Sequence, residues 1–409
     1  MEIRPIFSSL LRSKTGPVLV ALQVALSLAI LANALHIVNE RRAVAARPSG
    51  LLDEAATFYL AVQNPNNRTP EQMLAAIKRD VEVLRGVPGV AGVAQVSQMP
   101  LSQSGWTTSF RLSADTSAEG NSTAFYMSGD SIIKTFGLRL SEGRDFLQHE
   151  IVDFDETRDN QQPAVAIITK AVADKTWPGE SAIGKVIYFG SGGAQSTRVV
   201  GVVERLQSPN VQLGERGELS AIAPMRPYGE PGALYALRAD PGQRERVMKD
   251  AEQALRKSAA TPIIVEAKTV EQDRQRRYRA DVALAWMLIT VSVLLLLVTC
   301  SGIVGMASLW VNQRRKQIGV RRALGATKRD IVRYFILENV LITSAGVFGG
   351  VLLGVGLNQF LVSTLEMARL PLPYLAGGAL VFWVLGIAAA YGPAWRAAGI
   401  SPALATRSA

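Results

Sequence analysis

Four long apolar segments constrain the fold of this chain more than any other feature. They span residues 17–38, 282–311, 340–365 and 374–395. A helix needs about 20 apolar residues to cross a hydrocarbon core of about 30 Å, and each segment reaches that length. The first segment is too long for the apolar core of a signal peptide, so we interpret it as an uncleaved span. The sequence therefore predicts four transmembrane helices.

The second apolar segment is longer than a bilayer requires. Residues 282–311 carry no formal charge, and as a helix they would measure about 45 Å, more than the hydrocarbon thickness. The polar residues 268–281 that precede them are compatible with a helix. We predict one long helix that projects from the membrane as a stalk.

Basic residues are concentrated between the second and third segments. Residues 312–339 contain eight arginines and lysines but only two acidic residues, Asp330 and Glu338. The positive-inside rule places such a segment in the cytoplasm. The other segments follow from the number of spans: cytoplasmic termini at 1–16 and 396–409, a short outer loop at 366–373 and a large extracytoplasmic domain at 39–281.

The charge balance also bears on the class of partner. Residues 39–281 contain 30 basic and 30 acidic residues, so the whole net charge of +10 comes from the remaining segments. Beside membrane spans, such an excess favours anionic lipid headgroups or an acidic partner surface over nucleic acid.

Few residues in the chain suit metal or nucleophilic chemistry. Cys300 is the single cysteine, and the two histidines, His36 and His149, lie far apart in the sequence. The acidic stretch 150–156 fits no EF-hand spacing, and we favour a solvated loop over a Ca²⁺ site there. We predict no metal-binding residues.

The stretch GESAIGKV, residues 179–186, resembles a phosphate-binding loop. Val186 stands where such a loop carries the Ser or Thr hydroxyl that holds Mg²⁺. The stretch also falls in the predicted extracytoplasmic domain, where ATP is absent. We therefore predict no catalytic and no cofactor-binding residues, and no enzymatic activity in this chain.

The predicted extracytoplasmic domain begins and ends with a β-α-β pattern. The first comprises strands at 57–63 and 90–97 around a helix from Pro70, and the second comprises strands at 233–239 and 263–267 around a helix at 241–258. Two such units predict a ferredoxin-like sandwich. Residues 105–209 predict an inserted β-rich lobe, with strand candidates at 106–112, 123–128, 164–169, 185–189 and 198–204. The predicted fold class is an α+β membrane protein with four transmembrane helices.

The basic segment has the pattern of a helix, a turn and a second helix. We predict a helix over 312–324 that continues from the second span and ends at Gly325, which can take positive φ just past a helix end. Thr327 and Asp330 have the spacing of a capping box and predict the start of the next helix.

Apolar residues among the arginines give this corner two interpretations. Ile318, Val320 and Leu324 could lodge in a groove of a cytoplasmic partner, which would turn the partner's movement into tilting of two spans. The alternative is a solvated basic loop with a turn. The spacing alone does not decide between them.

Small and acidic residues mark the third span. Gly346, Gly350 and Gly354 are spaced i, i+4, i+8 and flatten one helix face for close packing, either within the chain or in a dimer. Glu338 lies at the inner end of this span, and we interpret it as an interfacial residue rather than as an intramembrane functional group.

Residues 314–341, RRKQIGVRRALGATKRDIVRYFILENVL, resemble the MacB/FtsX family of ABC-transporter permeases. The run from Gln317 to Ala326 carries the family's hallmark ahead of the third span. YGPAWRAAGISPALATR at 391–407 is similar to the family's closing motif, and GRDF at 143–146, with WPGESAIGKVIYFG and RVVGVV, is similar to its outer-domain passage. The phosphate-loop look-alike thus falls on a family element of the outer lobe.

The resemblance implies a permease subunit that works by mechanotransmission in a bacterial inner membrane. A separate cytoplasmic ATPase dimer would bind ATP and Mg²⁺ and push on a coupling set formed by Ile318, Gly319, Val320, Arg321, Arg322, Leu324 and Gly325. The periplasmic domain would then act on a substrate for export. A second permease, identical or homologous, is implied, together with a periplasmic adaptor and an outer-membrane duct as further partners. The alternatives are an FtsX-like activator of a cell-wall hydrolase and a lipoprotein-extraction permease.

Overall fold

The computed structural model describes residues 15–65, 69–115, 120–190, 195–210, 215–365 and 369–399, and it divides into two compact units. One unit is Val44–Ala280, and the other combines Met1–Ala43 with Asp281–Ala409. Parts of four predicted segments lie outside the described residues: the start of the chain, four short stretches of the domain at 39–281, part of the loop at 366–373 and the closing motif from residue 400.

The helices follow one another as α1 (Thr15–Ala45), α2 (Pro70–Arg85), α3 (Ile132–Phe136), α4 (Lys170–Thr176), α5 (Arg244–Ser258), α6 (Val270–Gln313), α7 (Arg315–Ala323), α8 (Lys328–Leu365) and α9 (Leu372–Ala398). The strands are β1 (Thr57–Gln63), β2 (Val90–Val96), β3 (Thr107–Arg111), β4 (Asn121–Met127), β5 (Leu140–Gly143), β6 (Val152–Asp155), β7 (Val165–Thr169), β8 (Val186–Phe189), β9 (Thr197–Val203), β10 (Ser220–Ala223), β11 (Met225–Tyr228), β12 (Gly232–Ala239) and β13 (Ile264–Thr269).

The four predicted apolar segments all lie in long helices. Among the described residues, α1, α6, α8 and α9 are the helices long and apolar enough to cross a membrane. Helix α6 is continuous from Val270 through the polar residues into the apolar segment, as the predicted long helix requires. Residues 268 and 269 differ from the prediction and end β13 instead.

The ends of the Val44–Ala280 unit form a ferredoxin-like sandwich. Its antiparallel sheet has the order β13-β1-β12-β2, which the two predicted β-α-β units produce. Both helices begin near the expected positions, and α2 carries a capping box between Thr69 and Gln72. Val81 of α2 and Leu255 of α5 share one core with Leu60 of β1, so both helices cover the same face of the sheet.

The inserted lobe is a mixed sheet of seven strands in the order β5-β9-β7-β10-β4-β3-β8. An additional pairing of β8 with β9 closes six of these strands into a barrel. All five predicted strands are present, but the predicted end of the lobe at residue 209 is wrong. β10 lies beyond it and fills the gap between β4 and β7. Four small or apolar residues, SAIA, are too short a run to reveal a strand by alternation.

The two lobes of this unit share a second core. The sheet face opposite α2 and α5 contributes Tyr59 and Ala236, and the inserted lobe contributes Tyr126 and Ile167. Phe136 of α3 is fully buried in the same cluster. The sandwich and the inserted lobe therefore pack as one body.

Candidate coupling site

The basic segment between α6 and α8 folds as a short helix, α7, followed by a turn. The prediction of one unbroken helix over 312–324 is wrong, because α6 ends at Gln313 and α7 begins at Arg315. Arg314 lies at the break with φ −100° and ψ 12°. Its guanidinium Nη1 donates to both carboxylate oxygens of Glu338, each at 2.9 Å. The partner is 24 positions away, so local periodicity could not have revealed the pair.

The turn after α7 has the predicted chemistry. Gly325 takes φ +97°, as expected for the residue just past a helix end. The N–H of Ala326 donates to the carbonyl of Arg321 at 3.0 Å, and the N–H of Gly325 donates to that of Arg322 at 3.2 Å. This is the Schellman pattern, which satisfies carbonyls that the helix end would otherwise leave free.

The capping box of α8 is also present. The N–H of Thr327 donates to Oδ2 of Asp330 at 2.9 Å, and the N–H of Asp330 donates to Oγ1 of Thr327 at 3.2 Å. The corner is therefore held by backbone and side-chain bonds on both sides of Gly325.

The seven predicted coupling residues are divided between core and surface. Ile318 and Gly319 are buried, and Ile318 packs in a cluster with Ile331 and Phe335 of α8 and Ala397 of α9. Ile318 is thus a core residue of this chain and is not available to lodge in a partner. The sequence pattern could not separate it from its exposed neighbours, because α7 is too short to show a clear apolar period.

Val320 and Leu324 form the exposed apolar part of the corner. Their side chains are 51% and 83% exposed, and Gly325 beside them is exposed as well. We call Val320, Leu324 and Gly325 the corner surface. An exposed leucine alone needs no explanation, but here it stands at the tip of a turn fixed by hydrogen bonds.

Two predicted coupling arginines bind to their own chain. The Arg321 guanidinium lies over the ring of Tyr334, 4.8 Å from its centroid. Nη1 of Arg322 donates to the carbonyl of Ala398 at 3.0 Å. Both residues connect α7 to the neighbouring helices, and sequence analysis missed Tyr334 because no local spacing links it to Arg321.

The predicted glycine stripe of α8 faces α1 of the same chain. A Cβ added at Gly346 would lie 2.7 Å from the carbonyl oxygen of Ala21, and one at Gly350 would lie 2.9 Å from that of Ala25. At Gly354 the nearest atoms would be Cδ2 of Leu375, at 3.2 Å, and Cα of Ala29, at 3.5 Å. The close helix approach that the spacing predicts is made within one chain.

We expect Gly346→Ala to destabilise the helical unit by about 1–3 kcal/mol, because the added methyl group overlaps backbone that cannot rotate away. The matched control is Gly356→Ala on the same helix, where an added Cβ meets no atom within 4 Å. Thermal unfolding of the purified protein in detergent measures both variants. Equal midpoints for the two would contradict the packing role of Gly346.

The phosphate-loop look-alike does not lead into a helix. Its last residue, Val186, opens strand β8, and Lys185 pairs with Glu180 at 2.8 Å. A phosphate-binding loop relies on the N-terminus of the helix that follows it. The local structure of residues 179–186 therefore lacks the element that would cradle a phosphate.

The acidic stretch is engaged in ion pairs and turns. Glu150 binds Arg144 at 2.6 Å, and Asp153 binds Lys78 and Arg226, each at 2.6 Å. Within the described ranges, no group of three or more His, Cys, Asp or Glu side chains is placed to hold a metal ion.

Glu156 makes the stability of this unit depend on pH. Burial, followed by repulsion from the carboxylates of Glu230 and Asp155, raises the pKa of its carboxyl from the ordinary 4.5 to about 7. The folded state binds this proton more tightly than the unfolded state, so stability present below about pH 4.5 is lost as the pH rises through 7.

We expect Glu156→Gln to reduce the loss of unfolding free energy between pH 5 and pH 8 by about 2 kcal/mol, a value discounted for partial exposure of the carboxyl. Urea unfolding at the two pH values measures it. The exposed Glu204→Gln should leave the difference unchanged, and an unchanged difference in Glu156→Gln would refute the assignment.

Comparison with known proteins places two family models on the chain. The MacB-like periplasmic core domain matches residues 19–272, and the FtsX-like permease C-terminal domain matches residues 289–402. The second match contains α7, the corner surface and the glycine stripe. The first match contains the Val44–Ala280 unit up to residue 272 and most of α1.

Curated relatives are similar over part of their length. The pyoverdine export ATP-binding/permease protein PvdT of Pseudomonas putida is 25% identical over 296 residues, which cover 70% of this chain and 44% of that protein. The macrolide export ATP-binding/permease protein MacB of Bradyrhizobium diazoefficiens is 29% identical over 236 residues, which cover 54% of this chain and 34% of that protein. The chain thus spans less than half the length of these relatives.

Among solved structures, the periplasmic region of MacB from Actinobacillus actinomycetemcomitans aligns with 57% of this chain and 97% of its own, at 12% identity and a TM-score of 0.34.

Proposed function

The chain belongs to the MacB/FtsX family of ABC transporter permeases, and on that premise we propose that it is the membrane subunit through which a separate cytoplasmic ATPase drives export. The Val44–Ala280 unit would lie in the periplasm, and both termini would lie in the cytoplasm of a bacterium with an inner membrane. The charge of residues 312–339 supports this orientation.

The single observation that carries the proposal is the corner surface. Leu324 is 83% exposed at the tip of a fixed turn, in a segment that carries eight basic residues. An exposed apolar side chain on a rigid element is the kind of anchor that fills a partner's pocket. The ATPase dimer would supply that pocket.

The contacts around the corner would pass a push on to the spans. Ile318 packs α7 against α8 and α9. The Arg314–Glu338 pair connects the break between α6 and α7 to α8. α6 is also continuous from Val270 to Gln313, about 66 Å at 1.5 Å per residue. A movement of the corner would therefore tilt several helices and, past the break at Arg314, reach residue 270 along one continuous helix.

The names of the relatives are the only indication of the substrate class. PvdT and MacB are named for the export of pyoverdine and of macrolides, and we propose that this chain exports a comparable small molecule already in the periplasm. A second permease copy, identical or homologous, would complete the complex, with a periplasmic adaptor and an outer-membrane duct. The chain itself would have no ATPase activity.

Two measurements test the proposal. Mild-detergent purification from native membranes, with vanadate and ATP present, is expected to yield an ABC ATPase with this chain. In whole cells, Glu180→Cys should react with an impermeant maleimide, and Leu324→Cys should react only after permeabilisation. Labelling of both positions from one side, or ATP turnover by the isolated chain, would refute it.

A further inference from the structure

A cleft of about 570 Å³ lies beside the ferredoxin-like sheet in the Val44–Ala280 unit. Its walls are residues 90–93 of β2, the end of α2, the loop at 128–131, α3 and the segment after β5. We call it the edge cleft, because β2 is an edge strand of the sheet. The volume falls within the roughly 300–1,000 Å³ of small-ligand sites.

One half of the free edge of β2 is already covered by the inserted lobe. The N–H of Gln95 donates to Oδ2 of Asp130 at 3.2 Å, and Oγ of Ser128 donates to the carbonyl of Gln95 at 2.6 Å. The N–H of Ser97 donates to the carbonyl of Met127 at 2.9 Å. These bonds show which backbone groups point away from β12.

In the described part of the chain, the other half of the edge makes no such bonds, although Val93 as a whole residue is only 7% exposed. Residues alternate along an antiparallel strand, so Val93 points its N–H and carbonyl to the same side as Gln95. Within the described residues, no bond from outside the strand ladder reaches either group of Val93. Val93 lines the edge cleft. The cleft therefore offers one donor and one acceptor in strand geometry.

Two charged groups of the cleft, Lys134 and Asp145, form no ion pair within the described residues, and the Asp145 carboxylate accepts from the hydroxyl of Ser131 and the N–H of Phe146. Arg85 pairs with Glu82 and Asp130, and Arg226 pairs with Asp153. Lys134 of α3 is exposed and lines the same cleft, and no described acidic side chain forms an ion pair with it. A carboxylate on a bound ligand would balance this ammonium group.

From these observations we propose that the edge cleft binds a short extended peptide with a free carboxylate. The peptide backbone pairs with Val93 as an added strand, and its carboxylate pairs with Lys134. The ligand is short because the lobe covers the edge from Gln95 onward. The inference concerns the Val44–Ala280 unit alone and is independent of coupling to an ATPase.

The test uses the full chain in detergent and fluorescence anisotropy. The probe is a pool of N-terminally fluorescein-labelled tripeptides of Ala, Val and Thr with free carboxyl ends. The matching carboxamide pool is expected to bind on the order of fivefold more weakly, since one exposed ion pair is lost. A backbone N-methylated pool, which cannot pair with a strand, is expected not to bind.

Two protein variants complete the test. Lys134→Glu should weaken binding of the free-carboxylate pool by about tenfold, because attraction becomes repulsion. Lys249→Glu, at another exposed lysine, on α5, should leave binding unchanged. Absence of binding up to millimolar peptide, equal binding of the carboxamide pool, or equal loss in both variants would overturn the proposal.

Discussion

Under the proposed coupling to an ATPase, Leu324→Asp is expected to abolish stimulation of that ATPase by this chain while leaving the chain folded. Leu324 is the most exposed apolar side chain of the seven predicted coupling residues, and it is a member of none of the buried clusters. Removing an anchoring side chain from the centre of an interface costs about 2 kcal/mol or more, which weakens binding about 30-fold. A carboxylate in an apolar pocket adds a desolvation cost.

The measurement is ATP turnover by the reconstituted complex, compared with the ATPase alone. Val320→Asp should give a smaller loss, because Val320 is 51% exposed against 83% for Leu324. Leu372→Asp is the matched control, since Leu372 is 78% exposed at the start of α9. Arg322 is a poor test of the interface, because its change would also remove the bond to Ala398.

Retained stimulation in a doubly substituted Val320→Asp, Leu324→Asp chain would exclude the corner surface as the contact. Loss of stimulation with the Leu372 control as well would point to a general effect of added charge. Only loss confined to the corner variants supports coupling through Leu324.

Glu338→Gln is expected to destabilise the helical unit by about 3–5 kcal/mol, because it leaves a mostly buried guanidinium without its counter-charge. The Glu338 side chain is 1% exposed and that of Arg314 is 17% exposed. Both oxygens of the carboxylate accept from Nη1 of Arg314. This burial and these two hydrogen bonds are typical of a buried ion pair. They differ from the predicted interfacial residue, whose carboxylate would reach the membrane surface.

Thermal and denaturant unfolding in detergent measures the effect. The double variant Arg314→Gln, Glu338→Gln should recover much of the loss, because neither remaining side chain is charged. Arg315→Gln, at the neighbouring exposed position, should change stability by less than about 0.5 kcal/mol. A loss for Glu338→Gln as small as that of Arg315→Gln would show that the pair contributes little.

Local patterns were sufficient wherever the deciding interaction lies within a few residues. The Gly325 turn and the Thr327–Asp330 box were predicted correctly, because both depend on bonds between near neighbours. The sandwich order was also predictable, because two β-α-β units have few ways to form one antiparallel sheet. Strand β10 was missed, since its four residues belong to the barrel only through β4 and β7.

The corner shows the limit of such patterns most clearly. Ile318, Val320 and Leu324 have the same chemical character in the sequence, yet Ile318 is core and the other two are surface. The difference arises because Ile331 and Phe335 of α8 cover only one side of α7. The spacing of the glycine stripe was likewise visible in the sequence, but the sequence did not show that α1 is the helix packed against it.

The amino-acid sequence by itself determined the four apolar helices, the ferredoxin-like order of the outer sheet and the turn at Gly325. The helices and the turn depend on composition or on contacts close in the chain, and the sheet order follows because two β-α-β units have few ways to form one antiparallel sheet. Tertiary structure alone decided which corner residues are exposed, where Arg314 breaks the helix and which helix the glycines face. These outcomes depend on contacts between side chains that are far apart in the sequence, and local sequence periodicity does not reveal such contacts.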